Sequence, residues 1–422
     1  MEWNCRKSNT QIALLFWWIY WMGFRLALHA GEPGVWIVSQ DGKGDFPTIT
    51  SALNALPAYS GRAVIYIREG VYNEKIRIDR DEVTLRGEDR ARTHIRYAQK
   101  RDDWEANRDW IGPGVLNIHG DDVIIENLTI ENTQPELEPH AFAVYGDGTR
   151  TIFVHCDLLS RGGDTVALWN YKAGMYYLKE CRIQGAVDML CPRGWCHVEN
   201  CQFYEVKPSA AVWHDGHMHA SQKMVLVNCT FDGVSGFCLA RHHYDAQFFF
   251  IRCRFSEKME DRPVYRHRYP EAQKNTPEYW GERNYFFECQ KEGKSFDWYR
   301  DSLPQGVQPD SISPFWTFDH RWNPEDDRPI RVAGYEIRDT TLVLLFDAPV
   351  TVLGQVVIRN EQGKQFRLRV ARPLSLDRMM LDANTPITPG DLTRPFFLEQ
   401  GEVIGSIATV KERRLEKVFT VR

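Results

Sequence analysis

The amino-acid sequence predicts an all-β chain, a parallel β-helix followed by a small β-sandwich, and three observations predict it. First, the runs "IFVHCDLL", "YLKECRIQ", "HVENCQFY", "LVNCTFDG" and "FFIRCRFS" are short and β-rich. Each carries cysteine in the same place, at Cys156, Cys181, Cys201, Cys229 and Cys253. The intervals are 25, 20, 28 and 24 residues, and recurrence in fixed phase signals a solenoid with one supersecondary unit per coil. Second, no helical periodicity accompanies these runs, so the coils are built from strands. Third, the pattern changes after "TFDHRWNPEDDRP", a charged, turn-rich linker. Beyond it "TLVLLFDAPVTV", "GQVVIRN", "QFRLRVA" and "GSIATV" are short strands separated by turn signals, as in a sandwich.

Taken in order, the chain divides into 1–30, 31–325 and 326–422. Arg6 and Lys7 precede an apolar stretch from Ile12 to Phe24, and "RLALHA" ends in the small Ala30, which is the pattern of an export signal cleaved at that point. An uncleaved anchor is the alternative, although 13 apolar residues are few for a membrane span. A secreted or periplasmic protein is therefore expected, with no membrane contact beyond this segment. "VIIENLTIEN" enters the repeat with Leu128 in the cysteine slot. Same-slot residues of successive coils stack about 4.8 Å apart, so the cysteine column reads as an interior ladder of small apolar side chains. Disulfides or metal ligation are the other readings of it. The sequons at Asn127 and Asn228 fall within the strand runs and read as structural. A net charge of −5 over 422 residues carries no signature of nucleic-acid binding.

Asp164 and Asp188 flank apolar runs and lie 24 residues apart, close to one coil. Asp164 follows its ladder cysteine by eight residues and Asp188 follows its own by seven, so the two are expected as near neighbours on adjacent coils. Two carboxylates that close do not ionise together easily, and one tends to keep its proton. Such a pair supplies both a nucleophile or base and a general acid. A pair of turn-capping acids in a solvated loop is the alternative.

From Val35 to Asn323 the chain resembles the pectin methylesterase (pectinesterase) family. The resemblance rests on "VSQDGKGDFPTITSALNALP", "AVIYIREGVYNEKIRID" and "VTLRGEDRARTHI" in order, then "GGDT", "GAVDML" and "LARHH". "GAVDML" is similar to the family's Gly-Thr-Val-Asp-Phe and "GGDT" to its Gln-Asp-Thr. "LARHH" stands in the place of Leu-Gly-Arg-Pro-Trp. The resemblance implies a right-handed β-helix and an esterase that needs no cofactor and no metal, acting as a monomer on methyl esters of galacturonate in pectin. It implies Asp188 as nucleophile, Asp164 as general acid and then base, and Arg241 as the guanidinium that holds Asp188 ionised.

The chain departs from that pattern where a glutamine is expected: His140 in "HAFAV" takes one glutamine's place and Gly163 another's. Arg241 is followed by His242 and His243, and Cys191-Pro192 follow the nucleophile motif. His140 is the candidate replacement donor to the ester oxygen, since either ring nitrogen carries a proton. His214, His217 and His219 cluster in "WHDGHMHASQK", where a sugar-contacting loop is expected and metal binding is the alternative. Trp169, Trp195 and Trp213, with His214 and His243, are the candidate sugar contacts. Loss of both glutamines keeps a second class open, a pectin-binding protein without turnover. An esterase for a different pectic ester is a third reading. The C-terminal segment resembles the immunoglobulin-like modules appended to secreted enzymes, chiefly in strand pattern.

Overall fold

The computed structural model describes residues 35–56, 63–325, 330–368, 376–405 and 414–420. The signal segment expected over 1–30 lies outside them.

The described residues between 35 and 291 wind into a right-handed parallel β-helix with three sheets of ten, eight and nine strands. Each of the eight complete coils contributes one strand to each sheet, and the first and last turns are partial. In the ten-stranded sheet Phe153 pairs with Leu178 and Val198 with Leu226. The interior is a continuous apolar core in which Ile125, Phe153, Leu178, Val198, Leu226 and Phe250 are all buried. Helix Ile49–Asn54 tucks Ile49 and Ala52 into the same core at the first coils, and Glu74 accepts from its Ile49 and Thr50 amides at 3.0 and 2.9 Å.

The ladder is apolar, as its spacing predicts. All nine described cysteines are free thiols, which removes the disulfide reading, and Cys156, Cys181, Cys201, Cys229 and Cys253 are buried. Each bonds locally: Cys156 Sγ donates to the Val154 and Ile125 carbonyls at 3.3 and 3.4 Å. Leu128 occupies the slot on one side and Cys289 extends it on the other. The residue before each rung has positive φ: Asn127, His155, Glu180, Asn200, Asn228, Arg252 and Glu288, between 51° and 55°. A single left-handed residue per coil thus turns the chain from one sheet into the next. Left-handed backbone costs an L-residue roughly 1–2 kcal/mol, least for Asn, and asparagine occupies three of the seven corners. Both sequon asparagines therefore sit at corners, not inside strands as the pattern suggested. Asn127 is structural there, donating to the Gly87 and Glu88 carbonyls at 2.9 and 3.1 Å.

The C-terminal segment is antiparallel and has a separate core that includes Leu344, Ile358, Phe366, Leu381 and Phe396. Among the described residues this segment, expected as a small β-sandwich, forms one six-stranded antiparallel sheet. Two runs read as separate strands are one, Thr341–Asn360. Its pairing shifts register between Leu345 and Val350 and again between Leu353 and Val357. Such irregularities bend a strand and let one long strand serve several partners.

Candidate active site

The eight-stranded sheet positions the site. Asp164 lies just before strand Val166–Leu168 and Asp188 just before Leu190–Pro192, and Val166 pairs with Leu190. The acids therefore sit at the same step of adjacent coils, as the 24-residue spacing predicts. Both have left-handed backbone, with φ of 55° and 58°. Their segments are tied directly, the Asp164 amide donating to the Val187 carbonyl at 2.9 Å.

Arg241, on the next strand but one (Cys238–His242), grips Asp188 with two nitrogens. Nε donates to Oδ1 at 2.9 Å and Nη2 to Oδ2 at 2.7 Å. This two-point, charge-assisted pairing fixes the carboxylate plane as well as its charge. Burial pushes the Asp188 carboxyl up to about 6, with Arg241 opposing the rise and the Asp164 charge adding to it. At neutral pH the group is still mostly ionised and desolvated, which suits a nucleophile. Asp164 is also buried, and His140 Nε2 stands 3.7 Å from its Oδ2. The His140 side chain is 38% exposed and is the solvent-facing member of the group.

The departures at 140 and 163 are linked. A Cβ on Gly163 would come within 2.9 Å of His140 Cε1 and nearer still to Nδ1. Only glycine leaves room for the imidazole, so the ring occupies space that a side chain at 163 would claim.

These residues line a cleft of about 200 Å³ with Arg101, Trp169, Arg193, Trp213, His267 and Tyr269. Trp213 lies under Arg241, whose Cζ is 5.0 Å from its ring, and its Nε1 donates to Asp215 at 2.6 Å. Trp169 packs edge-on to Phe142 and Tyr145. Sequence reasoning missed Arg193, which sits among the rings of Trp169, Tyr171 and Trp213 at 5.5–5.8 Å. Its signal was available, because one 24-residue coil added to Trp169 lands on Arg193. Arg101 and Tyr269 come from segments outside the repeat and carried no such signal.

Three expected sugar contacts take other positions. Trp195 opens a strand of the ten-stranded sheet, where Phe318 and Trp322 cover it and Arg321 stacks on it at 4.0 Å. It is core, because strand position decides which face a ring joins. His214 is fully buried, bonded through Nε2 to the Gly194 carbonyl at 2.8 Å, and burial lowers its pKa to about 4. His243 is buried with its ring nitrogens 3.1 and 2.7 Å from the His267 and Lys274 carbonyls. It anchors the segment carrying His267 and Tyr269 and does not itself face the cleft. The stretch that carries His214, His217 and His219 is a loop, as expected. His217 stacks on Tyr244 at 4.3 Å, and His219 bonds Ser221 at 2.8 Å. Among the described residues, no group of three His, Cys, Asp or Glu is arranged to hold a metal ion.

A parallel β-helix carrying a guanidinium-clamped acid pair in a cleft along one sheet is the class of protein that fold and site define. Residues 35–243 match the pectinesterase family model, and that stretch contains His140, Asp164, Asp188 and Arg241. That stretch is a pectinesterase-family domain. Pectinesterase 31 of Arabidopsis thaliana is 30% identical over 177 residues, 40% of this chain and 55% of the relative. Probable pectinesterase 49 of the same plant is 32% identical over 165 residues, 37% of this chain and 44% of the relative. The chain thus spans about half the length of these curated relatives. Among solved structures, a pectin methylesterase from Erwinia chrysanthemi is similar with a TM-score of 0.56 at 20% identity, over 68% of this chain and 97% of the other. One from carrot gives 0.52 at 18% identity, over 62% and 84%. At that identity the likeness is one of fold.

Proposed function

We propose that this protein is an exported carbohydrate esterase that hydrolyses methyl esters of galacturonate in pectin. The observation that carries the reading is the two-point Arg241–Asp188 pair with Asp164 beside it in a cleft lined by tryptophan. In the proposed reaction an Asp188 oxygen attacks the C6 carbonyl carbon, and the carbonyl electrons move onto oxygen. When they return, the C6–methoxy bond breaks and the leaving oxygen takes a proton from Asp164, releasing methanol. The acyl-enzyme is then opened by water, whose proton passes to the Asp164 carboxylate. This frees the galacturonate acid and Asp188. His140 is the side chain assigned to steady the oxyanion, with Nε2–H as donor. Trp169 and Trp213 are assigned to the sugar rings, and Arg193 to polar groups of the chain between them.

Methanol release from methyl-esterified polygalacturonate by the purified protein tests the reading. Activity that disappears in Asp188→Ala supports it. Absence of release above that variant across pH 5–9 would sink it, and binding of pectin fragments without product would then favour the non-catalytic class.

A further inference from the structure

Behind the acid pair, on the interior side, lies a carboxyl group that the proposed reaction does not use. Glu205 ends strand Gln202–Glu205 and is fully buried. Its backbone pairs with Gly185 on one side and Gly233 on the other. A Cβ on Gly233 would lie 2.9 Å from the Glu205 Cβ, so the neighbouring rung has no side chain to share the space. Glu205 Oε1 accepts from the Val187 amide at 3.3 Å and the Lys207 amide at 3.1 Å.

Val187 is the residue that needs holding. It is β-branched yet has φ of 48°, followed by Asp188 at 58°, a backbone state that a β-branched residue seldom adopts without outside constraint. The turn's other amides find main-chain acceptors: Ala186 donates to Gly162 at 3.0 Å and Asp188 to Ala210 at 2.7 Å. Val187 alone depends on a side chain. The same residue's carbonyl accepts the Asp164 amide, so Val187 links Glu205 on its N–H side to the general acid on its carbonyl side.

We propose that Glu205 is a positioning residue for the acid pair, anchoring the left-handed Val187–Asp188 turn from the interior so that both carboxylates keep their aim. The proposal rests on the esterase reading. Burial, with the Asp188 charge adding to it, raises the Glu205 carboxyl to about 9 against the two amide bonds, so it serves as a neutral acid. Neutrality matters at this position, since a second anion beneath the turn would oppose ionisation of Asp188. A glutamine of the same shape offers the same acceptor oxygen and no charge.

The test compares Glu205→Gln, Glu205→Met and Glu205→Asp in the full chain. It reads kcat and KM for methanol release together with hydrogen exchange of peptides spanning 185–190. Glu205→Gln keeps wild-type kcat. Glu205→Met fills the volume without an acceptor, and misaiming by a fraction of an ångström lowers its kcat at least ~tenfold at nearly unchanged KM. Exchange at the turn accelerates in the Met and Asp variants and stays at the wild-type rate in Glu205→Gln. If that variant does not fold, Glu205→Asp decides, because its shortened side chain draws the acceptor away and kcat falls likewise. Wild-type kcat and exchange in the Met variant, or in the Asp variant where Met does not fold, would overturn the proposal. A wild-type protein without esterase activity would sink the esterase reading separately, and exchange at Val187 would still decide the anchor.

Discussion

Adding one methyl group at Gly163 is expected to disable the site while leaving the fold nearly intact. In Gly163→Ala the new Cβ would stand 2.9 Å from His140 Cε1 and closer to Nδ1. Carbon contacts are optimal near 3.5–4.0 Å, so the imidazole must retreat by roughly 1 Å. With 38% of the side chain exposed, the ring can swing outward at little cost, and a stability loss of no more than about 1 kcal/mol is expected. Activity is less forgiving. Misplacing a group by 1 Å costs up to about a hundredfold, or ~2.7 kcal/mol of barrier. Removing the donor outright in His140→Ala should cost ~2.7–4 kcal/mol, and His140→Gln should restore part of it. If Gly163 acts only by making room for His140, the Gly163→Ala/His140→Ala double variant should turn over no more slowly than His140→Ala alone. The assay is steady-state methanol release, with kcat and KM separated, beside thermal unfolding of each variant. Wild-type kcat in Gly163→Ala would refute the steric argument, and additive losses in the double variant would refute the coupling.

Other expectations follow from the same geometry. Because burial holds the Asp188 carboxyl near 6, kcat/KM should fall as pH drops through about 6, where the nucleophile gains its proton. Arg241→Lys loses the two-point grip, so kcat/KM should drop at least ~tenfold and that acid limb should move upward in a pH profile. Glu205 keeps its proton in the folded state up to about 9 but releases it near 4.5 when unfolded. The stability this confers is complete below 4.5 and is lost as pH rises towards 9. Glu205→Gln should therefore gain on the wild type through that window, by at most about 1.4 kcal/mol per pH unit, in denaturant titrations at pH 5 and pH 8. Trp195→Ala should cost ~3–5 kcal/mol of stability with kcat unchanged, since that ring is core; a selective rise in KM would return it to the cleft.

The coil period, the cysteine ladder and the placing of Asp164 beside Asp188 were determined by the sequence alone. In a parallel β-helix each coil passes the same slot, so separation along the chain converts directly into neighbourhood in space. Asp164 to Asp188 and Trp169 to Arg193 are both one 24-residue step. The tertiary structure decided what that one-dimensional rule cannot carry. Trp169 and Trp195 are equally aromatic, but one faces the cleft and the other lies under Phe318 and Trp322, more than 120 residues further on. His214 spends Nε2, and His243 both ring nitrogens, on backbone carbonyls. Glu205 reads as an ordinary strand residue until Val187 turns left-handed above it. In each case the deciding partner comes from another segment of the chain, and local pattern holds no record of a neighbour brought in by folding.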